Sequence, residues 1–169
     1  MITVGISETD AKIKHLALRF FQQQGLHCGS SLIQTDKDIV FCTAGADNNY
    51  DVLIENASSF SKASADYIFL LNTDENIYPV VQNKNSIIIT YGLNGLATAT
   101  ASSITSDEAK IQFLFCLQRN IVTLKGKIIE CQEFPVSIKT TTDIHSAMAF
   151  TLLALILDVS PARISKIVL

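Results

Sequence analysis

Short apolar runs that do not alternate with polar residues recur along the first half of this chain, and they constrain its fold more than any other feature. Residues 2–6 (Ile-Thr-Val-Gly-Ile), 38–43, 51–54, 66–71 (Asp-Tyr-Ile-Phe-Leu-Leu) and 85–91 are such runs, and several are separated by stretches of helical length. A strand buried on one face alternates, whereas a strand buried on both does not. The pattern therefore predicts a mainly parallel sheet covered on both faces. Between the first two runs, Ile13, Leu16, Ala17, Phe20 and Phe21 fall at helical spacing, with Gly25 as the C-cap and residues 26–32 as a second short strand. Residues 57–65, small and polar, predict a short helix.

From residue 97 the texture changes. Residues 97–104, 111–118, 126–129 and 134–138 predict successive antiparallel strands, with Lys125 and Gly126 forming a hairpin turn. Residues 143–157 predict an apolar helix, and Pro161 opens a short last one behind Ser160. The expected fold is α/β: a mainly parallel sheet with flanking helices in a P-loop-like or Rossmann-like three-layer arrangement, plus a small antiparallel β segment around residues 97–138. With 169 residues, 48% of them hydrophobic, the chain is long enough for one domain over residues 1–169 with its own core.

Charge narrows the partners. The formal net charge is −3 and the lysines and arginines are scattered, so no basic patch offers itself to a phosphate backbone or an anionic lipid surface. Neither nucleic acid nor membrane is an expected partner. No apolar run approaches the ~18 residues of a spanning helix, and the start has no signal-peptide pattern; the expected location is cytoplasmic. Cys28, Cys42, Cys116 and Cys131 form no Cys-x-x-Cys pair and are expected to be buried small hydrophobes. His15, His27 and His145 have no metal-ligand spacing, and no Ser/His/Asp case can be built.

Three places carry candidate chemistry. The first is the loop from Gly5 to Lys12 between a strand and a helix. Backbone N–H groups and a helix N-terminus there can cradle a phosphate, and a lysine can reach its oxygens. Gly5 and Lys12 bound the segment, seven positions apart where the formal phosphate-loop pattern has six. Ala11 stands where the second glycine belongs, and Ile13 replaces the hydroxyl that would hold Mg²⁺. Glu8 adds a carboxylate where phosphate oxygens would lie. An ordinary helix start capped by Ser7, Thr9 or Asp10 fits the same residues. The second place is Glu55, at the end of the 51–54 run, where parallel sheets put ligands and metals; a solvated loop carboxylate is the alternative. Asn72 and Asp74, after the 66–71 run, occupy the equivalent edge with the same two readings.

Three segments in this order resemble the central, ATP-binding domain of the Mur ligases. They are residues 4–12; residues 71–75 followed by 88–93 (Ile-Ile-Thr-Tyr-Gly-Leu); and residues 143–149 (Asp-Ile-His-Ser-Ala-Met-Ala) leading to 154–160. The resemblance covers nearly the whole chain, and the stretch from Asn72 to Leu93 is its most specific part. It implies an enzyme class that joins an amino acid or peptide to a UDP-muramyl precursor through an acyl phosphate made with ATP. It further implies nucleotide contacts from Gly5, Thr9, Lys12, Asn72, Asp74 and Asp143, and a metal contact from Glu55, which resembles the glutamate of the family's Glu-x-Ser-Ser. The departures are as informative. Glu8 and Ala11 replace glycines of the family loop, and Ile13 replaces its Mg²⁺-binding threonine. Asp143 and Ser146 stand at asparagine positions, and no counterpart of the modified lysine or the metal-binding histidine is found. Phosphoryl transfer depends on metal, phosphate cradle and acceptor being positioned together.

The resulting expectation is a non-catalytic or residual nucleotide-binding Mur-ligase-like domain, a pseudoenzyme associated with peptidoglycan precursor metabolism. ATP and Mg²⁺ are bound weakly or lost, and the partners are a nucleotide and a protein partner or a second copy of the chain. The rival reading is a reduced ATP-dependent amide ligase or ATPase working with a partner chain.

Overall fold

The computed structural model describes residues 1–7, 11–30, 38–45, 48–55, 64–74, 85–139 and 141–166. Contacts cluster in two compact units, Met1–Ile88 and Ile89–Leu169.

In the first unit, Ile2–Ile6 forms β1, Ala11–Gln23 forms α1, and Cys28–Gly29, Ile39–Thr43, Asn49–Glu55 and Ser64–Asn72 form β2 to β5. They lie in the order β5-β4-β1-β3-β2, and every pairing is parallel. The absence of polar alternation has the expected cause: Val4, Val40, Phe41, Val52, Leu53, Ile54 and Leu70 are fully buried on successive positions of both faces. Helix α1 buries Ile13, Leu16, Ala17, Phe20 and Phe21, and Phe21 stacks on Phe41 of β3 with ring centroids 5.6 Å apart. Its end is closed by Gly25 at φ 77. The Gly25 N–H donates to the Gln22 carbonyl (3.0 Å) and the Leu26 N–H to that of Phe21 (3.1 Å), a Schellman closure that a Cβ-bearing residue would strain.

β6 (Ile87–Tyr91) spans the boundary between the units. The second unit continues with β7 (Ala99–Ser106), β8 (Lys110–Leu117), β9 (Ile121–Val122), β10 (Ile128–Ile129), β11 (Gln132–Lys139), α2 (Ile144–Ile156) and α3 (Pro161–Ile164). Its strands run in the order β11-β8-β7-β6, with β9 and β10 a separate antiparallel ribbon. Gly126, at φ 79, turns that ribbon and donates to the Thr123 carbonyl at 2.9 Å. Helix α2 is apolar around its whole circumference, and residues 146–156 are all buried. Its far end repeats the Schellman pattern, with Asp158 in the left-handed region at φ 67.

The fold is α/β, with parallel pairings in the majority and the antiparallel part in the C-terminal half, as the apolar runs predict. Four local expectations need correction. The strand expected at residues 26–32 is only Cys28–Gly29 among the described residues, and 31–37 lie outside them. Of the helix expected at 57–65, residues 57–63 lie outside the described residues, while Ser64 and Ala65 begin β5. β7 runs antiparallel to β8 as expected, but its other neighbour, β6, pairs with it in parallel at Tyr91 and Ala99. The strand near residue 128 pairs with β9 and not with its larger neighbours. No helix among the described residues is long and apolar enough to cross a membrane.

Candidate functional site

The buried polar side chains described in the first unit are three, and all sit at one edge of its sheet. Ser7 (4% exposed) follows β1, Glu55 (3%) ends β4, and Asn72 (4%) ends β5. The three strands are adjacent, in the order β5-β4-β1. The Ser7 N–H donates to the Ile54 carbonyl at 2.9 Å, and Glu55 is in register with Leu71, the residue before Asn72. With strands ~4.8 Å apart, the three lie side by side over roughly 10 Å. Three buried polar side chains coincide at the carboxyl ends of parallel strands, where such sheets bind ligands, and this makes the edge the candidate site. The Asn72 Oδ1 accepts from the Asp74 N–H at 3.0 Å, which fixes its side chain over the strand end; Asp74 itself is exposed. Ser7 was weighed from sequence only as a helix cap, because burial of a serine leaves no trace in spacing.

The other sequence candidates fall as follows. Lys12 is exposed on the first turn of α1, at the N-terminal end that follows Ser7. Thr9 and Glu8 lie outside the described residues. Ile13 is 0% exposed and belongs to the core. Asp143 lies in the second unit as the N-cap of α2. Its carboxylate accepts from the Ser146 N–H (2.8 Å) and Oγ (2.9 Å), so the Asp143/Ser146 pair makes a capping arrangement.

Gly5 has a packing role that sequence reasoning missed. It lies within β1, in register with Cys42 and Leu53, and a Cβ built on it would fall 2.5 Å from Cδ2 and 2.7 Å from Cγ of Tyr50. That ring is brought there by a register shift between Tyr50 and Val52, next to which the Asp51 carboxylate accepts from the Thr3 N–H (2.6 Å) and Oγ1 (2.7 Å). The Tyr50 hydroxyl accepts from the Gly45 N–H at 3.0 Å and donates to the Thr43 carbonyl at 3.5 Å. The tyrosine thus ties the end of β3 to the face of β1.

The cysteines depart from expectation. Cys42 and Cys116 are buried, but Cys28 is half-buried and Cys131 exposed. Burial, with the nearby Asp38 carboxylate adding to it, pushes the Cys28 thiol up to about 11, and burial also raises those of Cys42 and Cys116. Because the thiolate is the reacting form, a thiol reagent at neutral pH is expected to label one cysteine quickly, Cys131. Peptide mapping after brief labelling checks this; equal labelling of Cys42 would contradict the burial described.

Among the described residues, no group of three or more His, Cys, Asp or Glu side chains could hold a metal. Glu55 is a single buried carboxylate, which fits an ion such as Mg²⁺ that keeps several waters and takes remaining ligands from phosphate oxygens. A cleft of about 500 Å³ lies elsewhere, in the second unit, between Lys127–Gln132 and Asp158–Pro161, and includes none of the candidate residues.

No family model matches the chain, and no curated protein matches it. Among solved structures it is similar to a MurF ligase from Thermotoga maritima in complex with ADP, with a TM-score of 0.57 and 11% identity over 98% of this chain and 48% of that one. It is also similar to MurF from Acinetobacter baumannii, with a TM-score of 0.66 and 12% identity over 98% of this chain and 44% of that one. At such identities the likeness concerns the fold, which is Mur-ligase-like. The chain spans about half the length of each of these proteins.

Proposed function

We propose that this chain is a Mur-ligase-like nucleotide-binding domain that does not complete a ligase cycle alone, and that it acts in the cytoplasm in or near peptidoglycan precursor metabolism. The observation that carries the reading is the alignment of Ser7, Glu55 and Asn72 on the carboxyl edge of β1, β4 and β5, in a fold similar to a ligase solved with ADP. In this reading the nucleotide's phosphates lie over the loop between β1 and α1. Gly5 and Thr9 flank them, Lys12 supplies positive charge, and Asn72 and Asp74 line the neighbouring strand end. Mg²⁺, when bound, would neutralise phosphate charge and take Glu55 as its protein ligand.

Loss of stand-alone catalysis is supported by three residues whose side chains are otherwise occupied. Ile13 is sealed in the core and offers no hydroxyl to a metal, and Asp143 and Ser146 are engaged with each other. The rival reading, a reduced ATP-dependent amide ligase or ATPase completed by a partner chain, draws on the chain's spanning about half the length of the ligases it resembles. Lys12→Ala separates binding from fold. The residue is exposed, so the variant is expected to melt within about 0.5 kcal/mol of the parent and to lose ATP binding by roughly tenfold or more, a charge-assisted phosphate contact being worth ~1.5–3 kcal/mol. Unchanged affinity in a folded Lys12→Ala protein removes the phosphate-loop assignment. Phosphate release from ATP by the purified chain would favour the rival.

A further inference from the structure

The ribbon of β9 and β10 leaves one edge of β10 without a strand, since β10 pairs with β9 alone among the described strands. In that pairing Ile128 lies opposite Val122 and Ile129 opposite Ile121, and the Thr123 N–H donates to the Lys127 carbonyl at 2.9 Å. Successive residues of an antiparallel strand turn their backbone groups alternately towards the partner and away from it. Lys127 and Ile129 therefore face β9, whereas the N–H and C=O of Ile128 and the N–H of Glu130 face outwards. The Glu130 carbonyl accepts from the Gln132 side chain at 3.2 Å. The cleft of about 500 Å³ lies on this outward side: residues 127–132 form one wall, Asp158–Pro161 form the other, and no residue of β9 lines it.

The two ends of the cleft differ in charge. Lys127 Nζ lies 3.6 Å from Asp158 Oδ1, and Lys125 Nζ lies 3.6 Å from Asp158 Oδ2. This bridge joins the two walls and closes one end, with two ammonium groups set against one carboxylate. Three residues along, or ~10 Å, the exposed Glu130 stands at the other end. Between them Ile128 is 63% exposed, and Val159 and Pro161 are half-buried on the facing wall.

We propose that this cleft receives the C-terminal segment of a partner protein, added to β10 as an antiparallel strand. Outward backbone donors and an acceptor at strand spacing are what an extended peptide pairs with. The closed end has a net positive charge and takes a terminal carboxylate through charge-assisted hydrogen bonds, which an internal strand cannot supply. Charge also sets the direction, because a parallel strand would bring its carboxylate to Glu130 and an antiparallel one brings it to Lys125 and Lys127. Glu130 then lies level with the residue three positions before the terminus and favours lysine or arginine there. Ile128, Val159 and Pro161 favour apolar side chains in the last positions.

Fluorescence anisotropy of the full chain tests this with a hexapeptide, Gly-Ser-Lys-Ala-Val-Val, carrying fluorescein at its N-terminus and a free carboxylate. Binding is expected to saturate below about 1 mM, and the same peptide ending in an amide is expected to bind about tenfold more weakly. In the Lys125→Ala/Lys127→Ala protein, whose altered side chains are exposed, acid and amide should bind alike. N-methylation of one backbone amide after another in the peptide should weaken binding at alternate positions only. The absence of saturation at 1 mM overturns the proposal, as does equal affinity of acid and amide for the parent protein. So does a preference for the acid that survives in the folded double variant, or equal tolerance of N-methylation at neighbouring positions.

Discussion

Leu153→Asp is expected to yield no folded second unit. Leu153 is 0% exposed in α2, within a run buried from residue 146 to 156, so no rotation of the helix offers a carboxylate a route to water. The substitution forfeits ~2–5 kcal/mol of leucine burial and adds an unpaired buried charge worth several kcal/mol more. Together these match the whole stability of an ordinary domain, ~5–15 kcal/mol. Leu153→Met, which conserves volume, should cost less than about 1.5 kcal/mol. Thermal melts followed by circular dichroism compare the two. A cooperative melt for Leu153→Asp within a few degrees of the parent would mean that α2 is not the centre of this unit.

The second large effect is expected at Gly5. In an open strand Gly→Ala usually stabilises, by about 0.5–1 kcal/mol, through the backbone entropy of glycine. Here the new methyl would meet the Tyr50 ring 2.5–2.8 Å away. That ring cannot swing clear, because Tyr50 is 1% exposed and its hydroxyl is held by Gly45 and Thr43. Overpacking of this kind costs ~1–3 kcal/mol, so the net change should be destabilising. In a Tyr50→Leu background the same Gly5→Ala step should be close to neutral, a coupling of roughly 1 kcal/mol or more between the two sites. Urea unfolding of the four proteins gives that coupling directly. Additive effects would contradict the packing role of Gly5 and return the residue to the phosphate loop alone.

These two positions also mark what could be read from the sequence. The buried strands were legible because burial on both faces removes alternation, and runs such as 66–71 have no other simple use. Helix α1 and its Gly25 closure were legible because apolar spacing and a left-handed C-cap are local. The contact between Gly5 and Tyr50 was not, since it depends on a register shift forty-five residues downstream and on a hydrogen bond from the Thr3 N–H to the Asp51 carboxylate. The same holds for the site. Glu55, Asn72 and Lys12 could be nominated from their places at strand ends and a helix start, but Ser7 joins them only once β1 and β4 are side by side. The antiparallel course of β7 beside β8 agrees with the sequence reading, whereas its short parallel contact with Tyr91 does not show in an Ala/Thr/Ser pattern. No spacing sets one cysteine apart in the sequence, yet Cys131 is exposed at a polar turn where its N–H and its thiol both donate to the Asn120 side chain.

Calorimetric titration of the purified chain with ATP, in the presence and absence of Mg²⁺, tests the central claim most directly. A nucleotide domain built on Ser7, Glu55, Asn72 and Lys12 predicts saturable binding that tightens with Mg²⁺, without release of phosphate. The absence of any heat of binding at millimolar ATP would contradict it and leave a Mur-ligase-like fold whose carboxyl edge serves something other than a nucleotide.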